Sequence, residues 1–147
     1  MRECLPGVRA YARTVCRDTG TAEEITQETF IRAWRYWPTF RNDSGAMPWL
    51  ITICRRVAAD IARKNRIHDQ LPPDMADSTN AFDATAVNEL VRTLPQAQRE
   101  VIVLCAILGF DYQTAAETLG IPVGTVRSRI ARARESLAAE VCAADAV

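Results

Sequence analysis

The chain has 147 residues, with 48% hydrophobic content and 18 basic against 18 acidic side chains. That composition is globular rather than disordered, and the length suits one medium domain or two small ones. No apolar run approaches the ~18 residues of a membrane span, and Met1-Arg-Glu-Cys-Leu-Pro-Gly7 lacks the apolar core of a signal peptide, so the cytoplasm is the expected compartment.

The zero net charge hides an uneven distribution. Residues 1–66 hold 12 Lys/Arg and 7 Asp/Glu, a net +5. Residues 67–89 hold no basic residue and five acids (Asp69, Asp74, Asp77, Asp83, Glu89), a net −5. Residues 90–147 hold six of each, yet four of the arginines fall within positions 127–134. A nucleic acid responds to such local patches rather than to the sum.

In chain order, Val8, Ala12, Val15 and Cys16 predict a helix ending near Gly20. Pro6-Gly7 is expected to interrupt its start. Thr21-Ala-Glu-Glu24 has capping-box form and predicts a second helix beginning there. Ile25, Thr29, Phe30, Trp34 and Tyr36 fall on helical spacing, with Phe30 and Trp34 expected in the core, and Pro38 stops the helix. Thr39 to Ala46 is a polar loop rich in turn formers. A third helix is expected over 48–65, where Trp49, Leu50, Ile53, Val57 and Ile61 form an apolar stripe that draws Trp49 inward. Arg55, Arg56, Arg63, Lys64 and Arg66 decorate its other faces.

Residues 67–85 have no sustained period. Pro72-Pro73 and the acidic content mark a linker, whose charge would repel DNA, imitate it, or merely keep a tether solvated. A second bundle is expected over 86–142. Ala86 to Thr93 is a short helix, and another opens at Pro95 and runs through Leu108, apolar on nearly every face and so buried. Asp111 then suits the N-cap of a helix, Gly120 a tight turn at positive φ, and a final helix runs to about Val141.

This last pair is a helix-turn-helix, which sets its second helix in a DNA major groove. Val126, Ile130, Ala133 and Leu137 follow i, i+4, i+7, i+11 and should face the core. Gly124, Arg127, Ser128, Ala131 and Arg132 then face outward. Arg127 and Arg132 can each donate two hydrogen bonds to guanine, and Ser128 can donate or accept. Arg129 and Arg134 lie on the flanks, suited to phosphate, while Thr125 and Gln113 could brace the backbone.

The five cysteines form no C-x-x-C pair and the single histidine, His68, stands in the linker, so no metal site, disulfide framework or cofactor is expected. No carboxylate pair, nucleophile–base pair or phosphate loop argues for an enzyme.

Thr21-Ala-Glu-Glu-Ile-Thr-Gln-Glu-Thr-Phe-Ile-Arg-Ala-Trp34 closely resembles the region 2.2 helix of extracytoplasmic-function sigma factors, the small members of the sigma-70 family. Phe40-Arg-Asn-Asp-Ser44 with Trp49-Leu50 resembles their region 2.3. Ile53 to Lys64 resembles region 2.4, Leu94 to Leu104 region 4.1, and Gly120 to Ile130 region 4.2. The resemblance spans about residues 5–141 in family order. Relatives usually carry a further N-terminal stretch that completes the first helix, and Arg56, Ala46-Met47 and Ala131 depart from residues common among them.

The resemblance implies an all-α chain of two helical bundles that acts as a promoter-recognition subunit of bacterial RNA polymerase. The first would bind the polymerase clamp through Glu24, Gln27 and Glu28. It would also engage the −10 element, with Arg41, Asn42, Asp43 and Ser44 holding an extruded base and Arg55, Arg56, Arg63 and Lys64 on the backbone. The second would read the −35 element through Thr125, Arg127, Ser128, Ala131 and Arg132 and contact the polymerase flap. An anti-sigma factor is an expected partner. A helix-turn-helix regulator that binds duplex DNA without polymerase is the alternative.

Overall fold

The computed structural model describes residues 1–41, 43, 45–68 and 86–146; the side chains at 67–68 and 86–88 are outside the description. The expected acidic linker therefore lies almost wholly outside the described residues. The chain divides into two compact units, residues 1–78 and 79–147. Among the described residues there are helices and no strand.

The first unit packs α1 (Leu5–Val15), α2 (Thr19–Tyr36) and α3 (Ala46–His68) against one another. Its core is Val8, Tyr11 and Ala12 from α1, Ala22, Ile25 and Ala33 from α2, and Leu50, Ile51, Cys54 and Val57 from α3. Thr26 and Thr29 are buried too, and each hydroxyl donates to the carbonyl four residues back, Ala22 at 2.8 Å and Ile25 at 2.6 Å. That local bond lets a polar side chain enter an apolar interface without an orphaned group. Arg9 of α1 reaches Glu23 of α2 at 2.9 Å, and Arg32 of α2 reaches Asp60 of α3 at 2.8 Å.

Several boundaries differ from the sequence expectation, each for a local reason. Pro6 does not interrupt α1 but sits in its first turn, where a missing N–H costs nothing. α1 ends at Val15, and Gly20 belongs to the first turn of α2. The N-cap of α2 is Asp18 rather than Thr21. Its carboxylate accepts from the Thr21 amide at 2.9 Å and from the Thr21 hydroxyl at 2.6 Å. α3 starts two residues before Pro48 and runs to His68, three beyond Asn65. Trp34, expected in the core, is 77% exposed. Trp49 is only half-buried.

The second unit comprises α4 (Ala86–Thr93), α5 (Gln96–Ile102), α6 (Tyr112–Leu119) and α7 (Val123–Asp145). Pro95 is the N-cap of α5. The apolar run does not continue as one α-helix through Leu108: Val103–Ile107 forms a π-helical turn. The run is also not buried all round. Val101 to Leu104 are buried, but Ile107 is 51% exposed. Leu94, Val101, Leu104, Ala115, Leu119, Val126, Ile130 and Ala133 make the core, with Arg99 and Thr118 buried beside them. α7 extends to Asp145, past the expected Val141.

Candidate nucleic-acid interface

The turn between α6 and α7 is built as its residues dictate. Asp111 caps α6, accepting from the Thr114 amide at 2.7 Å. Gly120 ends α6 at φ 65° and ψ 35°, the left-handed region that a side chain strains to enter. The Ile121 amide reaches back to the Ala116 carbonyl at 3.0 Å, which closes the turn. Pro122 is the N-cap of α7 and supplies a carbonyl, bonded by Thr125 N at 3.0 Å, but no side-chain acceptor. With no side-chain cap, the Val123 and Gly124 amides at the start of that turn are the ones suited to an anion.

The inward stripe on α7 is as its spacing requires: Val126, Ile130 and Ala133 are buried and Leu137 is half-buried. Gly124, Arg127, Ser128, Ala131 and Arg132 are exposed together on the other side. Arg134 is exposed, whereas Arg129 and Thr125 are half-buried. The Ser128 hydroxyl donates to the Thr125 carbonyl at 3.1 Å. Gln113 is engaged within α6, its amide donating to Glu117 at 3.0 Å. An exposed row of guanidiniums on a helix fixed by a buried opposite face can present hydrogen-bond donors to base edges and phosphates.

In the first unit, Arg41 and Asp43 of the loop before α3 are exposed; Asn42 and Ser44 lie outside the described residues. On α3, Arg56, Arg63 and Lys64 are exposed and Arg55 is half-buried. Arg63 is paired with Asp60 at 3.0 Å. On α2, Glu24 and Gln27 are exposed, but Glu28 is half-buried and held by Arg32 at 3.0 Å. Glu28, Arg32, Asp60 and Arg63 therefore form one charged chain from α2 to α3. The hydrogen bond from Arg32 holds the Asp60 carboxyl below its ordinary range, and the same contact raises Arg32.

Sequence reasoning missed two things here. The spacing of Asp60 and Arg63 was readable, but the cross-helix partner Arg32 was not. Hydrophobicity also drew Trp34 inward, although Ile31 and Trp34 stand exposed in line with Glu24 and Gln27.

Among the described residues no group of three or more His, Cys, Asp or Glu side chains is placed to hold a metal ion, and no helix is long and apolar enough to cross a membrane.

Family comparison agrees on both units. The sigma-70 region 2 family matches residues 1–67, and the sigma-70 region 4 family matches residues 84–137. The chain is 39% identical over 132 residues to the ECF RNA polymerase sigma factor SigC of Mycobacterium tuberculosis, covering 84% of this chain and 71% of that protein. It is 31% identical over 149 residues to the ECF RNA polymerase sigma factor EcfG of Rhodopseudomonas palustris, covering 92% and 79%. Among solved structures, it is similar to the sigma factor RpoE of Bartonella quintana in complex with the anti-sigma factor NepR. The TM-score is 0.73 at 30% identity, over 91% of this chain and 89% of that one. It is also similar to CnrH in complex with the cytosolic domain of CnrY, with a TM-score of 0.65 at 28% identity over 93% and 81%. Matched through both regions, and by relatives 39% and 31% identical that it covers to more than two thirds of their length, the chain belongs to the sigma-70 family and is an RNA polymerase sigma factor of the ECF type.

Proposed function

We propose that the two units divide promoter recognition between them. The second unit reads the −35 element through the exposed face of α7, with Arg127, Ser128, Ala131 and Arg132 on base edges, Thr125 bracing, and Arg129 and Arg134 on phosphates. It also contacts the polymerase flap. The observation that carries this is the sorting of α7 into a buried Val126/Ile130/Ala133 side and an exposed Arg127/Arg132 side.

The first unit binds the polymerase clamp through α2. Glu24 and Gln27 offer an exposed acidic and amide face, extended by Ile31 and Trp34. Glu28, tied to Arg32, shapes that face more than it donates a free charge. Arg41, Asn42, Asp43 and Ser44 engage the melted −10 strand. Arg55, Arg56, Arg63 and Lys64 follow the phosphate backbone with salt-dependent, sequence-independent affinity.

The chain supplies binding and strand opening, while core polymerase performs nucleotide chemistry, so it is no enzyme in itself and needs no cofactor. Its work with polymerase and DNA places it in the cytoplasm. Two of its structural relatives were solved with an anti-sigma factor or a cytosolic domain bound. A partner of that kind is proposed for this chain, covering its DNA-facing surfaces.

Run-off transcription with core polymerase on genomic fragments tests the reading. The chain is expected to create specific start sites that core enzyme alone does not use. A reconstitution that yields no such site from any fragment would overturn it.

A further inference from the structure

α3 carries five basic residues, Arg55, Arg56, Arg63, Lys64 and Arg66, and a single acid, Asp60. Arg56, Asp60, Arg63 and Lys64 follow i, i+4, i+7, i+8, so the acid stands within one basic face of the helix. A carboxylate there opposes what the face is suited to do. It repels a phosphate, and it competes with the phosphate for the neighbouring cations.

α2 supplies the compensation. Asp60 Oδ2 accepts from Arg32 at 2.8 Å, while its Oδ1 accepts from Arg63 at 3.0 Å. Arg32 is held from its other side too, with its Nε donating to Glu28 at 3.0 Å. The two cations that share Asp60 are differently placed. The Arg32 side chain is 27% exposed and lies between two carboxylates, whereas that of Arg63 is 72% exposed. Arg63 meets Asp60 through one terminal nitrogen, and a guanidinium has further N–H groups to donate. Arg32 also dominates the carboxylate. Its hydrogen bond is the main cause that holds the Asp60 carboxyl below its ordinary range, with the charges of Arg63 and Lys64 contributing less.

We propose that Arg32 is a positioning residue for promoter DNA: by taking up the Asp60 carboxylate, it leaves Arg63 able to turn to a phosphate. This rests on the reading that α3 follows the phosphate backbone. Arg32 touches no DNA in this role. Glu28, Arg32, Asp60 and Arg63 together carry no net charge, and when Arg63 engages a phosphate Asp60 keeps a partner on α2. Without Arg32, the cations left to Asp60 are those of α3 itself. Each one that turns to DNA then leaves a carboxylate beside a phosphate.

The test uses purified holoenzyme assembled from the full chain and core polymerase. It is titrated with labelled fork-junction DNA from a mapped start site, at salt concentrations from about 50 to about 200 mM. Arg63→Ala is expected to weaken binding and to make the salt dependence shallower by about one unit. Arg32→Gln should weaken binding by roughly threefold at the low-salt end, and Arg63→Ala added to it should cost little more. Arg32→Lys keeps the charge, should bind nearly as the parent does, and guards against a folding defect in the glutamine variant.

Asp60→Asn gives the discriminating result. It breaks the same ion pair, so thermal melts of the free chain should show small losses in both Arg32→Gln and Asp60→Asn. On DNA the two should part. Asp60→Asn should bind at least as tightly as the parent, and added to Arg32→Gln it should restore the lost affinity.

If Arg32→Gln and Asp60→Asn weaken DNA binding alike, the pair merely fastens α2 to α3 and the proposal is overturned. It is overturned equally if Arg32→Gln leaves binding unchanged. If Arg63→Ala alters neither affinity nor salt slope, the backbone reading falls at that residue as well; if it alters both while Arg32→Gln alters neither, only the positioning proposal falls.

Discussion

At the scale of single residues, position along α7 separates two kinds of arginine. Arg127, Arg132 and Arg134 are all exposed, but Arg134 stands two turns beyond Arg127, away from the N-terminal end that enters a groove first. Arg127→Ala or Arg132→Ala is expected to cost about 1–3 kcal/mol in promoter binding and to relax preference at one −35 position. Arg134→Ala should weaken all sequences alike and make the salt dependence shallower by about one unit. Holoenzyme binding to a set of single-base promoter variants at several salt concentrations distinguishes the two patterns.

Cysteine chemistry is sorted by burial in the same way. Cys54 is fully buried between helices, and burial pushes its thiol up to about 11. Cys142 is exposed near the end of α7. With a thiol reagent at about pH 8, Cys142 should react at once and Cys54 only on unfolding, since the thiolate is the nucleophile. Mass-spectrometric mapping of the modified site, with and without denaturant, checks this.

Among elements, legibility followed locality. The inward stripe of α7, the Asp111 cap and the positive φ of Gly120 depend on residues within one or two turns of each other, and the sequence displayed them. Where two local signals competed, it did not decide. Asp18 and Thr21 are both good caps, and the chain uses Asp18, with Thr21 as its donor. Trp34 has the spacing and hydrophobicity of a core residue, but α1 and α3 pack on the other side of α2. The π-helical turn at Val103–Ile107 had no marker residue such as proline or glycine inside it.

Removing a cap tests this scale. Asp18→Ala should destabilise the first unit by about 1 kcal/mol, whereas Asp18→Asn should keep most of the cap. The hydrogen bonds from Thr21 hold Asp18 below its ordinary value, the Thr114 amide does so for Asp111, and Arg32 does so for Asp60. A depressed carboxyl stabilises the fold above its unfolded pKa of about 3.9, and that contribution is lost as pH falls through the lower folded value. Thermal melts followed by circular dichroism should be insensitive to these groups near neutrality and fall in temperature below about pH 4. Asp18→Asn should reduce the acid-side decline of the first unit.

For the whole molecule, the distribution of charge matters more than its total. The net +5 of residues 1–66 and the arginines of α7 attract DNA without regard to sequence, and the five acids within residues 67–89 lie between them in the chain. A run of like charge between two DNA-binding units raises the energy of any complex in which both units approach a phosphate backbone. That repulsion acts over roughly a Debye length, about 10 Å at 0.1 M salt, and fades as salt rises. A chain with Asp69, Asp74, Asp77 and Asp83 changed to Asn and Glu89 to Gln should therefore bind random duplex DNA more tightly than the parent at about 50 mM salt, with the difference shrinking towards about 200 mM. Fluorescence anisotropy of labelled duplex DNA against both chains gives the two salt slopes. Coincident curves would show that the acids merely solvate the segment. A tighter but less selective chain would show that this stretch restrains non-specific contact and leaves discrimination to the exposed face of α7.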